Sequence, residues 1–238
     1  MTDLNHIRPS ATVVLLRDNA QHLEVLMLRK NQQINYGGSW VFPGGVIDPE
    51  DYDQARELLG NDELQSAARI TAARETEEEA GLDVCPRNML PFAYWVTPKL
   101  MKKRYATWFY AADANHLEAE PVIDDGEIIE ARWFDPAQAL SLHTAGDVKL
   151  NGPSYITLSE LGQFDSTTEA LASYQKRGLR EYKPRALPQD SGVISVYQED
   201  PDYEAAKHAE TFVDSGSSPQ HRLYMQREGA WHYINDAC

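Results

Sequence analysis

Glu75, Glu78 and Glu79 fall at i, i+3 and i+4 in the run Arg74, Glu75, Thr76, Glu77, Glu78, Glu79, Ala80, Gly81, Leu82. On a helix that spacing places their carboxylates on one face. Like charges so close repel by roughly a few tenths of a kcal/mol per pair. A hard divalent cation such as Mg²⁺ or Mn²⁺, which prefers carboxylate oxygen, removes that cost. A solvated acidic face is the plain alternative for any run of glutamates. The setting of this run argues against it. Upstream stand Trp40, Val41, Phe42, Pro43, Gly44 and Gly45, and the alanine-rich approach ends at Gly81, where a helix takes its left-handed terminal residue.

Together these residues resemble the signature of the Nudix hydrolases, G-x5-E-x7-R-E-U-x-E-E-x-G-U with U aliphatic. Arg74, Glu75, Glu78, Glu79, Gly81 and Leu82 stand at matching positions behind the Phe42, Pro43, Gly44, Gly45 lead-in common in that family. Thr76 replaces the aliphatic residue and keeps a methyl to pack. Counting from Gly45, the first glutamate falls at Asp51, and the arginine due at position 59 stands at 74, so 15 residues interrupt the box. Counting back from Arg74 puts Ser66 at the glutamate position, so the first glutamate reads as lost or displaced. Such an interruption, about residues 48–61, resembles the branch that includes peroxisomal coenzyme A diphosphatases and their bacterial relatives. The upstream motif of those enzymes, L-L-T-x-R-S-x3-R-x3-G-x3-F-P-G-G-x2-D, keeps its spacing through Leu26, Arg29, Gly38, Phe42, Pro43, Gly44, Gly45 and Asp48. Its Thr, Ser and second Arg are here Met27, Lys30 and Ile34.

The resemblance implies an α+β Nudix fold, an α/β/α sandwich around a mixed β-sheet, over residues 1–162. A C-terminal α/β extension, 163–238, would be packed on or swapped against that core. The implied activity is metal-dependent hydrolysis of a nucleoside diphosphate linked to a group X. Coenzyme A or an acyl derivative is in view for the substrate; ADP-ribose, a dinucleotide or another nucleotide is the alternative. Glu75, Glu78, Glu79 and the Gly45 carbonyl would hold Mg²⁺ or Mn²⁺, with Glu127 as an extra carboxylate. Glu75, Glu78 and Arg74 form the implied catalytic group, Arg74 orienting a glutamate through a bidentate pair. The general base is open between Glu75, Glu78 and Glu127. A Nudix-like binding domain without catalysis would show a broken carboxylate triad, and this triad is complete.

Composition narrows the partners. A net charge of −15, from 22 basic against 37 acidic residues, repels a polyanion and disfavours nucleic-acid polymers. A small anionic substrate stays open, because bound cations and a local basic patch reverse the field inside a cleft. Four such cations, Lys99, Lys102, Lys103 and Arg104, share one loop, and Lys102, Lys103 and Arg104 together with Arg29 are the substrate-binding candidates. Hydrophobic residues make up 42% of the chain, enough for a sizeable core. Cys85 and Cys238 are too few for a disulfide framework, so a reducing cytosol is the simplest setting and a cytoplasmic location the expectation. The polar start has no apolar h-region, no apolar run reaches membrane length, and the end is not the S-K-L address.

The elements that must position these side chains follow from periodicity and punctuation. Residues 11–16, 22–28, 39–42, 92–97, 105–112 and 127–134 read as strands, with a turn at Asp124, Asp125 and Gly126 and with Trp133 as a core anchor. Residues 50–59 read as a helix in the insertion, offering Tyr52, Leu58 and Leu59 for packing while its acids face water. Asp62 with Gln65 reads as the capping box of the long catalytic helix. Its alanines keep that helix slim enough to approach a sheet closely. Helices follow from Asp135 to Leu142, over 153–161, and from the capping box Ser166 and Glu169 to Lys176. Segment 180–190 is rich in proline and charge, 213–220 is a loop, and 193–197, 221–226 and 230–233 read as strands. Two roles are open to this tail: a homodimer contact, or a lid that shapes the substrate pocket.

Overall fold

The strand β1 (Ile7–Asp18) carries an apolar run buried on both faces, the pattern of a strand inside a sheet covered on two sides. Side chains alternate along it. Ala11, Val13 and Leu15 join one buried cluster, and Val14 and Leu16 join another on the opposite face. The computed structural model describes residues 7–20, 22–33, 37–123, 126–227 and 229–236. The first six residues, Ile34, the turn residues Asp124 and Asp125, and Cys238 lie outside the described residues.

Around β1 the described residues form a mixed eight-stranded sheet. Its members are β2 (Leu23–Lys30), β3 (Trp40–Val41), β4 (Gly44–Val46), β5 (Leu90–Val96), β6 (Arg104–Asp113), β7 (Ile128–Phe134) and β8 (Arg180–Tyr182). The order runs β3-β2-β1-β6-β5-β8, with β4 also pairing β1 and β7 pairing β2. β1 with β6 and β5 with β8 run parallel. On one face lie α1 (Pro49–Leu59) and α2 (Leu64–Ala80). On the other lie α3 (Pro136–Ala145), α4 (Gly152–Leu161) and α5 (Thr167–Arg177). This is the α/β/α sandwich expected from the sequence. A four-stranded antiparallel sheet follows, in the order β12-β11-β10-β9, built from β9 (Arg185–Gln189), β10 (Gly192–Val196), β11 (His221–Gln226) and β12 (His232–Asn235).

Three local expectations need correction, and two segments prove to hold strands that the sequence reading does not assign. Asp62 does not cap α2: Arg56 draws it away, Asn61 Oδ1 accepts the Glu63 N–H, and Glu63 stands at the N-cap without a side-chain bond. Leu58 is exposed, while Asp51 of the same helix is fully buried. Trp133 is only partly buried, beneath the Arg17 guanidinium, and the neighbouring Phe134 is the core anchor. Gly44–Val46, read as a lead-in, is itself a strand. Segment 180–190 holds two strands, because Pro184 falls between them and Pro188 leaves the β9–β10 pairing in register.

The C-terminal extension is welded to the sandwich. Tyr182 stacks on Trp95 at 3.9 Å and Tyr174 on Phe92 at 4.4 Å. Glu160 of α4 accepts from Tyr182 Oη at 2.7 Å and Arg177 Nη1 at 3.0 Å. Tyr174, Tyr182, Tyr197 and Leu223 share one buried cluster with Phe92, Trp95 and Phe109. No described helix is long and apolar enough to cross a membrane.

Candidate active site

Two glutamates of α2 bracket the short strand β4. Glu79 Oε2 accepts the Gly44 N–H at 3.0 Å. The carboxylate of Glu75 lies flat against Gly45, so a Cβ built there would overlap it. Gly45 is required for space, since any side chain would push Glu75 out of position. The small residues Ala67, Ala68, Ala72 and Ala80 are fully buried and let α2 lie close to the sheet. Thr76 is buried with its hydroxyl returned to the Ala72 carbonyl at 2.7 Å. Gly81, at φ 64°, then ends the helix and donates to the Glu77 carbonyl at 2.9 Å.

Arg74 gathers the acids on the other side. Its Nε and Nη2 meet Asp51 Oδ1 and Oδ2 at 3.0 and 3.1 Å, and its Nη1 reaches Glu75 Oε1 and Glu78 Oε2 at 3.0 Å each. Asp51 also accepts from Thr71 Oγ1 at 2.7 Å and from the Asp48 N–H at 2.9 Å. Burial raises the Asp51 pKa, but Arg74 and these hydrogen bonds outweigh it, and the net shift is downward. The first acidic position of the box is therefore occupied. Asp51 sits there by count from Gly45, so the 15 added residues fall between it and Arg74, and the chain folds back through α1 to leave that pairing intact.

The charge balance at the sheet is unusual. Burial pushes Glu79 up to about 7, although Lys30 and the Gly44 N–H oppose the shift. Burial also raises Glu75. Lys30 Nζ stands 2.6 Å from Glu127 Oε1 and 3.8 Å from Glu79 Oε1. Burial lowers the Lys30 pKa, yet these carboxylates raise it on balance, so it stays an ammonium. Glu78 is different: its side chain is 57% exposed and turned to Arg74.

Glu75, Lys30 and Glu127 open onto a cavity of about 750 Å³, with Gly44 and Gly45 in its wall. The other substrate candidates are elsewhere. Arg29 pairs with Glu130 at 3.1 Å on the sheet, and Lys102, Lys103 and Arg104 are absent from the cavity wall. Arg104 Nε donates to the Thr97 carbonyl at 3.1 Å. The loop borders the cavity, as expected, but through Pro98, Leu100 and Met101. Lys30 was read from sequence only as a departure from a motif, yet among the described residues it is the cavity's sole lysine or arginine. Tyr197, Met225 and Trp231 of the extension also line it, and periodicity alone gives no sign of that.

Do these residues fit a divalent cation? Among the described residues no three acidic, histidine or cysteine side chains are already gathered as a cage. The donors that do face one another suit a hard ion: two carboxylates with raised proton affinity, and a glycine strand held bare of side chains between them. Lys30 beside Glu79 and Arg74 beside Glu75 are the positive charges that the chain itself brings to these two carboxylates.

The NUDIX domain pattern matches residues 6–151. A Caenorhabditis elegans protein named "Putative nudix hydrolase 7" is 24% identical over 194 residues, which covers 66% of this chain and 61% of that protein. The chain thus spans about three fifths of the length of that relative. The crystal structure of a NUDIX hydrolase from Alicyclobacillus acidocaldarius is 24% identical and superposes with a TM-score of 0.63, over 70% of this chain and 96% of that one. This likeness is one of fold. Because the domain pattern covers more than half of its length, the chain belongs to the Nudix family.

Proposed function

We propose that this protein is a divalent-metal-dependent hydrolase that cleaves the diphosphate linkage of a nucleoside diphosphate joined to a group X. The observation that carries this reading is the pair of carboxylates, buried Glu79 and partly buried Glu75, fixed on the Gly44 and Gly45 strand, with Glu75 open to the cavity. Glu75, Glu79 and the Gly45 carbonyl would hold Mg²⁺ or Mn²⁺, with Glu78 in support. When bound, such an ion neutralises diphosphate charge and activates water. The rest is done by the chain. Arg74 fixes Glu75 against Gly45 while its other nitrogens stay on Asp51. Of the three candidates Glu75 is the best-placed base, since it faces the cavity and is held against Gly45. Glu127 also faces the cavity but is held by Lys30, and Glu78 is turned to solvent and Arg74. Lys30 would hold a diphosphate oxygen, moving from Glu127 to substrate.

A panel of ADP-ribose, coenzyme A and dinucleoside polyphosphates with Mg²⁺ or Mn²⁺, read by phosphorus NMR, tests the activity. Two new terminal phosphates should appear for each diphosphate linkage cleaved. Lys30→Met should raise KM more than it lowers kcat, with the defect shrinking at high salt. An unchanged KM at low ionic strength would remove Lys30 from substrate binding.

A further inference from the structure

We propose that X is an uncharged, hydrocarbon-rich group, and that the C-terminal extension builds the pocket that selects it. This rests on the hydrolytic reading of Glu75 and Glu79, and it names the substrate class for that same site. The cavity has two kinds of wall. At the α2 side stand Glu75, Lys30 and Glu127, the only charged side chains that line it among the described residues. From the extension come Pro184, Ala186, Val193, Tyr197, Met225 and Trp231, with Ser195, the Tyr197 hydroxyl and Trp231 Nε1 as its polar groups. Facing them from the sandwich are Val41, Phe42, Trp95, Phe109, Leu100 and Met101.

Among the polar side chains that the sandwich brings to the wall, those of Ser10, Thr12, Thr97, Thr107 and Asn151 already hold a hydrogen bond, while Trp95 Nε1 is buried without one. Ser10 Oγ and Thr107 Oγ1 bond each other at 2.7 Å, and Thr12 Oγ1 donates to the Pro43 carbonyl. Thr97 Oγ1 accepts the Tyr105 N–H at 3.0 Å, and Asn151 Oδ1 caps α4 through the Ser154 N–H at 2.8 Å. Apart from the single acceptor that Trp95 Nε1 could take, a sugar buried here would compete with those bonds or leave its hydroxyls unpaired, which burial penalises. An X with a phosphate of its own would meet no second cation, because Lys30 is already claimed by the diphosphate. Hydrocarbon has no such requirement. Met225 supplies a flexible thioether that moulds to an irregular apolar guest. Trp231 is fixed at both ends, its carbonyl accepting from Tyr155 Oη at 2.7 Å and its Nε1 donating to the Gln226 carbonyl at 3.1 Å. Tyr197 meets Trp95 edge-on at 6.0 Å and closes the wall.

The test is a series of adenosine 5′-diphosphate n-alkyl esters, from methyl through butyl to octyl, given to the full chain with Mg²⁺. From methyl to octyl, kcat/KM should rise by about tenfold or more, well inside the roughly fourfold per methylene that complete burial would give. Met225→Ser and Ala186→Phe, one making the wall polar and the other filling it, should each flatten that slope. A slope that is flat or falling, or faster turnover of ADP-ribose or coenzyme A than of the octyl ester, overturns the proposal. Calorimetric titration of the same esters separates this failure from failure of the hydrolytic reading. Octyl binding tighter than methyl by a similar factor, without turnover, supports the pocket while counting against hydrolysis. Equal affinities across the series sink the pocket whatever the turnover.

Discussion

A carboxylate stripped of water holds its proton to higher pH, and burial pushes Glu79 up to about 7 from an ordinary value of 4.5. Folding therefore takes up a proton between those limits, so the metal-free protein loses stability as pH rises through that window. The full swing is about 3 kcal/mol for this group alone, and Glu75 adds to it with the same sign. Thermal melts in chelator between about pH 5 and pH 7.5 should show the midpoint falling, and Glu79→Gln should remove most of the fall. A midpoint that rises across the range contradicts the assigned burial. Asp51 works in the opposite sense. Its lowered pKa stabilises the fold above its ordinary value of 3.8 and fails as pH falls through the folded one. Asp51→Asn should cost about 3 kcal/mol in denaturant unfolding, because it breaks a buried bidentate ion pair and leaves Arg74 only the more exposed Glu75 and Glu78. It should also lower kcat by loosening Glu75; unchanged unfolding and turnover would sink this role. The glutamate face, Gly45 and Arg74 were legible because motif spacing names them. Asp51 was legible in one direction only, since the count from Gly45 reaches it while the count back from Arg74 reaches Ser66, and spacing cannot decide between them.

The helix α1 shows what an insertion can become once it packs. Loop length alone costs little, because closure entropy grows only logarithmically, so the cost of removing the insertion lies in what it packs against. The structure places Asp51 and Ala55 of α1 in full burial against α2, with Tyr52 and Leu59 packed at the edge of the same cluster. Replacing residues 49–61 with a short connection should lower Tm by about 10 °C or more, given the lost ion pair and packing. Unchanged melting would return α1 to decoration. Helix and strand positions were readable wherever apolar periodicity ran for several turns or residues. The strands β8 and β9 were hidden because their support is tertiary: β8 exists by pairing with β5, and its Tyr182 by stacking on Trp95.

At the scale of the whole molecule, the sandwich and its extension are one body of contacts around one cavity. Composition and motif give the family and the acidic end of that cavity, but not its apolar wall, which assembles from segments more than a hundred residues apart in the chain, Phe42 against Met225. Cutting the chain after Gly162 would uncover Phe92 and Trp95 and remove the edge strand β8. The shortened protein should aggregate or melt well below the full chain, and a soluble fragment with full-chain melting would contradict that. The account stands most directly on one comparison: turnover of a diphosphate substrate by the full chain with Mg²⁺ or Mn²⁺, after exhaustive chelation, and with Glu75→Gln under the same conditions. The account predicts turnover with the metal, none after chelation, and a rate about a thousandfold lower in the variant while its fold persists. Turnover that survives chelation, or a Glu75→Gln protein as fast as the parent, would contradict it.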